Sequence, residues 1–179
     1  LAHWRKDWYV RGMYEMAYSA RASTIRDAIA NQLPLFEAPP FCLLSIRPQH
    51  AAAIENGTKR VEFRRKFSRK LKAATALIYV TSPIQQLRLS ASILDVVEST
   101  PESLWERFGP VAGCDRTDFD QYFSGTDSGF AIALSHVQPL TNPLHAQSAD
   151  LRSLNFHPPQ SFAILDSKSP LVQKVVGVH

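Results

Sequence analysis

Lys59, Glu62 and Arg64 stand within the six residues KRVEFR. A carboxylate set among cations can do two kinds of chemistry. The cations can hold a phosphate, and the acid–base members can move a proton. In an enzyme, Lys59 or Glu62 would transfer the proton while Arg64 steadied a charged transition state. In a binder the same side chains would clamp a nucleotide. The bland alternative is a structural ion pair between Glu62 and Arg64. If 59–65 is a strand, its period of two puts Lys59, Val61, Phe63 and Arg65 on one face. Arg60, Glu62 and Arg64 then take the other, so Lys59 points away from Glu62 unless a bulge or the helix-to-strand turn reorients it.

The charge around this stretch is uneven. Residues 59–72 hold eight Lys/Arg and one acid, whereas residues 95–130 hold eight acids and two arginines, within a net charge of +4. A basic edge on an otherwise balanced chain points to an anionic partner, and Phe63 and Phe67 interleave with the cations. Arg65, Lys66, Arg69 and Lys70 read as an approach surface for a nucleic-acid backbone, with Arg47 nearby. Phe63, Phe67 and Tyr79 could stack on a base, although a core position is expected for Tyr79. Cys42 and Cys114 lie too far apart for a metal spacing and read as free thiols in a reducing cytoplasm. No Cys/His pattern suggests zinc and no paired carboxylates suggest a two-metal site, so neither a metal nor a cofactor is expected.

The elements that must position these residues are short. FCLLSIR (41–47) reads as an apolar strand. A helix opens at Pro48 and closes at Gly57, because proline suits the first helical turn and glycine the left-handed cap. TALIYVT (75–81) is nearly continuous in its apolar character, as expected of a strand buried on both faces. QLRLSASILDVVES (86–99) is long enough to bend. Thr100-Pro101-Glu102 opens an acidic helix with a hydroxyl cap, and a second short helix runs from Thr117 through Phe123 to Gly125. Further strands are expected at 129–140 and 161–166, with a helical turn near Asp150–Leu154. Five or six short strands with peripheral helices predict an α+β fold built on a small mixed β-barrel.

The N-terminal forty residues differ in character. Residues 4–30 carry an apolar stripe at helical spacing, and the prolines of 31–40 mark a linker. The expected organisation is a helical extension and linker over 1–40 followed by a barrel domain over 41–179. Gln32-Leu33-Pro34-Leu35-Phe36 resembles the peptide by which bacterial DNA-metabolism proteins dock on the sliding clamp; the plainer reading is that its apolar residues pin the linker to the core. No apolar run approaches the roughly 20 residues of a membrane span. Trp4, Arg5, Lys6, Asp7 and Trp8 interrupt any signal-peptide core, which leads to an expectation of a cytoplasmic protein. Because the first residue is Leu, an upstream start is expected. The oligomeric state is left open.

Four motifs in order resemble the ASCH domain, a PUA-like β-barrel family tied to RNA binding. They are Leu44-Ser45-Ile46-Arg47-Pro48, Ile54-x-x-Gly57-x-Lys59-x-x-Glu62-x-Arg64, Tyr79-x-Thr81-Ser82-Pro83 and Phe156-x-Pro158-Pro159-Gln160-Ser161-Phe162. The resemblance covers roughly residues 41–166. It implies an electropositive cleft between the Lys59–Arg64 strand, the Thr81-Ser82 turn and the loop ending at Gln160. Thr81, Ser82 and Gln160 would contact the nucleotide there. His157, beside Pro158, is the histidine nearest that cleft in sequence and the candidate general acid, whereas His136 and His145 are scattered elsewhere. Some relatives are similar to single-strand ribonucleases. Others resemble amidohydrolases that deacetylate a modified cytidine with a lysine, a threonine three residues later and a distant glutamate. Lys59 matches that lysine, but Glu62 stands in the threonine's place and no residue matches the distant glutamate, which argues against that mechanism. RNA or a modified nucleotide is therefore the expected partner. Binding in that cleft, with a regulatory role in RNA metabolism, is the leading expectation. The alternatives are a metal-independent single-strand ribonuclease or modified-nucleoside hydrolase in the same cleft, and an interaction module recruited to a sliding clamp through Gln32–Phe36.

Overall fold

A computed structural model describes residues 40–176. The expected N-terminal helix, the linker up to Pro39 and the Gln32–Phe36 peptide lie outside the described residues. Six strands form one mixed sheet in the order β2-β5-β4-β3-β1-β6. They are β1 (Phe41–Ile46), β2 (Val61–Arg64), β3 (Thr75–Val80), β4 (Gln86–Ser99), β5 (Gly129–His145) and β6 (Phe162–Leu165). β1 and β3 run parallel, and the other neighbours are antiparallel. The antiparallel β4–β5 pair has three register shifts, between Leu87/Leu89, Ser90/Ser92 and Ile93/Asp95. Each shift adds local twist, and together they coil the sheet into a half-barrel. The fold is α+β and PUA-like.

Alternation along the strands divides the core. Leu44, Ile46, Ile78, Val80, Leu89, Ile93 and Ile132 fill the concave side with Ile54 of α1 (Pro48–Glu55). Leu43, Leu77, Tyr79 and Leu87 face the other way, against Leu151 of α4 (Ala149–Ser153) and Leu171 and Val172 of α5 (Pro170–Val176). β3 is thus buried on both faces, as its unbroken apolar run implies. Val61, Phe63 and Ala131 make a third cluster with Leu104 of α2 (Pro101–Phe108) and Phe119 and Phe123 of α3 (Arg116–Phe123). Burying one such side chain contributes about 1.5–3 kcal/mol.

Local chemistry explains the helix starts. Pro48 begins α1, and past its end Gly57 adopts φ +80°. Thr100 and Asp115 accept from the backbone N–H of Ser103 and Asp118, capping α2 and α3. Three differences from the expected pattern have physical causes. β5 runs to His145, through Pro139 and Pro143; β2 covers β5 only at residues 130–133, so beyond them one side is an edge that tolerates proline. α5 was not anticipated, although Ser169 Oγ accepts from Val172 N ahead of its first turn and Pro170 begins it. β2 begins at Val61, so Lys59 lies in the turn before the strand and escapes its alternation.

Candidate functional site

The sheet ends at β2 on one side and β6 on the other, and the site occupies the seam between them. β6 pairs with β1 only from Phe41 to Leu44, which leaves the end of β1 to other partners. Ser45 N–H donates to Ser161 O (3.1 Å), and Ser45 Oγ–H donates to Pro159 O (2.6 Å). Arg64 crosses from β2: its Nη2 donates to Ser45 O (2.7 Å) and its Nη1 to Ser161 Oγ (3.3 Å). The guanidinium stitches an edge the strands leave open. Arg64 Nε is buried with no hydrogen-bond partner among the described residues, a state that costs about 1–3 kcal/mol.

Glu62 sits between two cations. Its Oε2 lies 3.2 Å from Lys59 Nζ and its Oε1 lies 3.1 Å from Arg64 Nη2. Lys59 is 3 % exposed, Glu62 7 % and Arg64 8 %. The alternation that turned Lys59 away from Glu62 does not hold, because the turn after α1 reorients it. Lys59 N–H donates to Ala53 O (2.8 Å), and its Nζ donates to Ala112 O (2.5 Å). Gly113 makes that approach possible. It adopts φ +62°, and a Cβ there would lie 2.7 Å from the Cβ of Lys59. The bland Glu62–Arg64 pair is real, and it is one half of a buried three-member network.

The network lies in the floor of a cleft of about 690 Å³. Arg47, Lys59, Glu62, Arg64, Thr81 and Gln160 all line it, so residues from distant parts of the chain converge. Other residues named from the sequence do not. Ser82, Lys66, Arg69 and Lys70 are exposed and absent from the lining. Arg65 reaches the rim, with its guanidinium 5.2 Å from the ring centre of Tyr122 and its Nε donating to Tyr122 O. His157 is exposed, outside the lining, with its Nδ1 2.7 Å from Asn155 O. Of the aromatic residues, Phe63 borders the cleft, Tyr79 is core against Phe156, and Phe67 packs on Phe162.

A ribonuclease of Zymomonas mobilis, described as an ASCH domain-containing ribonuclease, is 32% identical to this chain over 136 residues, spanning 76% of this chain and 90% of that protein. The chain belongs to the ASCH domain family. Solved structures agree with this. The crystal structure of the Zymomonas mobilis ASCH protein matches this ASCH chain with a TM-score of 0.69 and 31% identity, over 79% of this chain and 96% of that one. A tyrosine-to-phenylalanine variant of the same protein gives a TM-score of 0.69 at 30% identity, over 77% of this chain and 97% of that one. No family model matches the sequence.

The ASCH cleft also holds residues the sequence motifs did not single out as site residues: Ser45, Gln49, His50, Asp118, Tyr122 and Ser161. Two of them carry a signal in retrospect. His50 follows the helix-opening proline by two positions, and Ser161 closes the Pro158-Pro159-Gln160 motif. Burial, and after it the Lys59 ammonium, holds the His50 imidazole below its ordinary range; Arg47 acts the same way, while Glu62 and Asp118 oppose it. Burial likewise raises the Cys114 thiol against the pull of Lys59. Buried Cys42 is pushed up to about 12 by desolvation, with Arg64 opposing, and both cysteines are unpaired. Among the described residues no group of three or more His, Cys, Asp or Glu could hold a metal ion, and no helix is long and apolar enough to cross a membrane.

Proposed function

We propose that this ASCH domain binds single-stranded RNA in the seam cleft and cleaves it there. The observation that carries the reading is the buried Lys59–Glu62–Arg64 network in the cleft floor, with two cations and one acid. Its relative's description as a ribonuclease supports the same substrate class. The volume falls within the roughly 300–1,000 Å³ of small-ligand sites, and it suits an unstacked nucleotide better than a duplex. Arg47 and Arg64 would meet phosphate oxygens, and Glu62 would hold Lys59 and Arg64 in place. Thr81 and Gln160 would read base edges, while Tyr122 and Phe63 supply aromatic surface. Arg65, Lys66, Arg69, Lys70 and Ser82 would guide the strand on its way in. The division into a 1–40 extension and a 41–179 domain belongs to the same proposal.

One observation favours a second reading, binding without turnover. The Lys59 ammonium already meets both Glu62 and Ala112 O, so its donors are largely committed. Incubation with labelled single-stranded RNA separates the two. Cleavage that disappears in Lys59→Ala supports the nuclease, and intact RNA held with steeply salt-dependent affinity supports the binder. Neither cleavage nor salt-dependent binding overturns both. Acetylated cytidine in the same assay tests nucleoside hydrolysis, and its turnover would move the reading to that chemistry.

A further inference from the structure

The groups that the sequence motif offers for proton transfer are engaged. Glu62 spends one oxygen on Lys59 and the other on Arg64, and Lys59 is held by Glu62 and Ala112 O. His50 is different. It lines the same cleft from the first turn of α1 and is half-buried. Among the described residues, neither of its ring nitrogens makes a hydrogen bond. The other described histidines each have a ring nitrogen near a local polar group: Ser135 for His136, Gln147 for His145 and Asn155 for His157.

We propose that His50 is the general base of this cleft, accepting the proton of the attacking ribose hydroxyl. The inference rests on the RNA-cleavage reading and sharpens it to transphosphorylation. As the 2′-oxygen forms its bond to the adjacent phosphorus, its proton passes to a free nitrogen of His50. The bond from phosphorus to the 5′-oxygen breaks, and that oxygen takes a proton from solvent water. The His50 imidazolium returns its proton to solvent, which closes the proton balance. The products are a 2′,3′-cyclic phosphate and a 5′-hydroxyl end, and no oxidant or co-reactant is consumed.

The surroundings suit a base. Lys59 and Arg47 disfavour the imidazolium, and so does the positive end of the helix on which His50 sits. Glu62 and Asp118 favour it, and Arg64, Cys114 and Tyr122 line the same cleft. Because burial and Lys59 hold the ring below its ordinary 6.5, it is neutral and ready to accept a proton at neutral pH. The rate should therefore rise with pH along an acid limb lying below that value and then level off.

The test compares the full chain with His50→Gln and His50→Ala on a labelled single-stranded oligoribonucleotide, across pH. The expected results are cyclic-phosphate ends, a loss of roughly 10²–10⁴-fold in kcat with a smaller change in KM, disappearance of the acid limb, and rescue of His50→Ala by added imidazole. A merely structural histidine would not give rescue. If the wild type cleaves and His50→Gln keeps its rate and acid limb, His50 is not the base and the nuclease reading stands. A wild type that does not cleave overturns both. Should the variants fail to fold, the wild-type His50 ring is titrated by NMR with an all-deoxy oligonucleotide, which binds but offers no 2′-hydroxyl. A raised ring pKa on binding supports the inference, and an unmoved one overturns it.

Discussion

Two three-member ion networks in this molecule have opposite fates. Lys59, Glu62 and Arg64 form one in the cleft floor, each side chain at most 10 % exposed. Arg116, Glu102 and Asp120 form the other on the acidic helices, where each side chain is at least 42 % exposed. The exposed contacts are the shorter ones, 2.5 and 2.7 Å against 3.1 and 3.2 Å in the buried network. Length therefore says little about what each does. In the exposed network water competes for every charge, so the raised pKa of Arg116 reflects its hydrogen bonds to Glu102 and Asp120 without implying much stability. In the buried one each charge has lost its water and depends on its partners. The buried network carries one net positive charge, and the proposed phosphate contacts rest on that excess.

The sharpest way to break the comparison is to neutralise the shared acid. Glu62→Gln leaves Lys59 and Arg64 buried without a counter-charge and should cost about 3–5 kcal/mol, read as a shift in the urea midpoint with an unchanged slope. A loss no larger than that of a surface substitution would show that the floor is wetter than its burial implies. The next effect is steric. Gly113→Ala adds a Cβ at 2.7 Å from that of Lys59 and forces a side chain into φ +62°. The backbone alone should cost roughly 1–2 kcal/mol, and the displaced lysine should weaken RNA cleavage beyond what the stability loss explains. The smallest effect is expected on the surface. Arg116→Ala breaks both contacts of the exposed network, yet its denaturation midpoint should stay within the scatter of repeat measurements. A clear destabilisation there would erase the distinction.

Adjacent residues make the same point. Arg64 and Arg65 read alike in the sequence, but Arg64 is inside the seam and Arg65 lies over Tyr122 at the rim. Strand alternation foretells that they face opposite ways. It does not foretell that one side is a cleft closed by the chain a hundred residues later. The α1 cap at Gly57, the hydroxyl cap at Thr100 and the doubly buried β3 were legible because each depends on neighbours in the chain. The Pro158–Ser161 motif was legible as part of a site, yet it contributes Gln160 and Ser161 and leaves His157 outside. His50 is not legible in the sequence, because a lone histidine behind a proline carries no local sign of what it will face.

From the sequence alone come the strands and most helices of the barrel, the basic stretch and the membership of the ASCH family, because capping, alternation and motif order act over short distances along the chain. Only the tertiary structure decided that Lys59 turns back onto Glu62, that Arg64 spans to Ser45 and Ser161, and that His50 shares their cleft. The physical reason is that these meetings depend on where β2 starts, on the close approach at Gly113 and on how far the bulged β4–β5 pair coils the sheet. Each is a sum of many packing contacts, and no single residue type announces it.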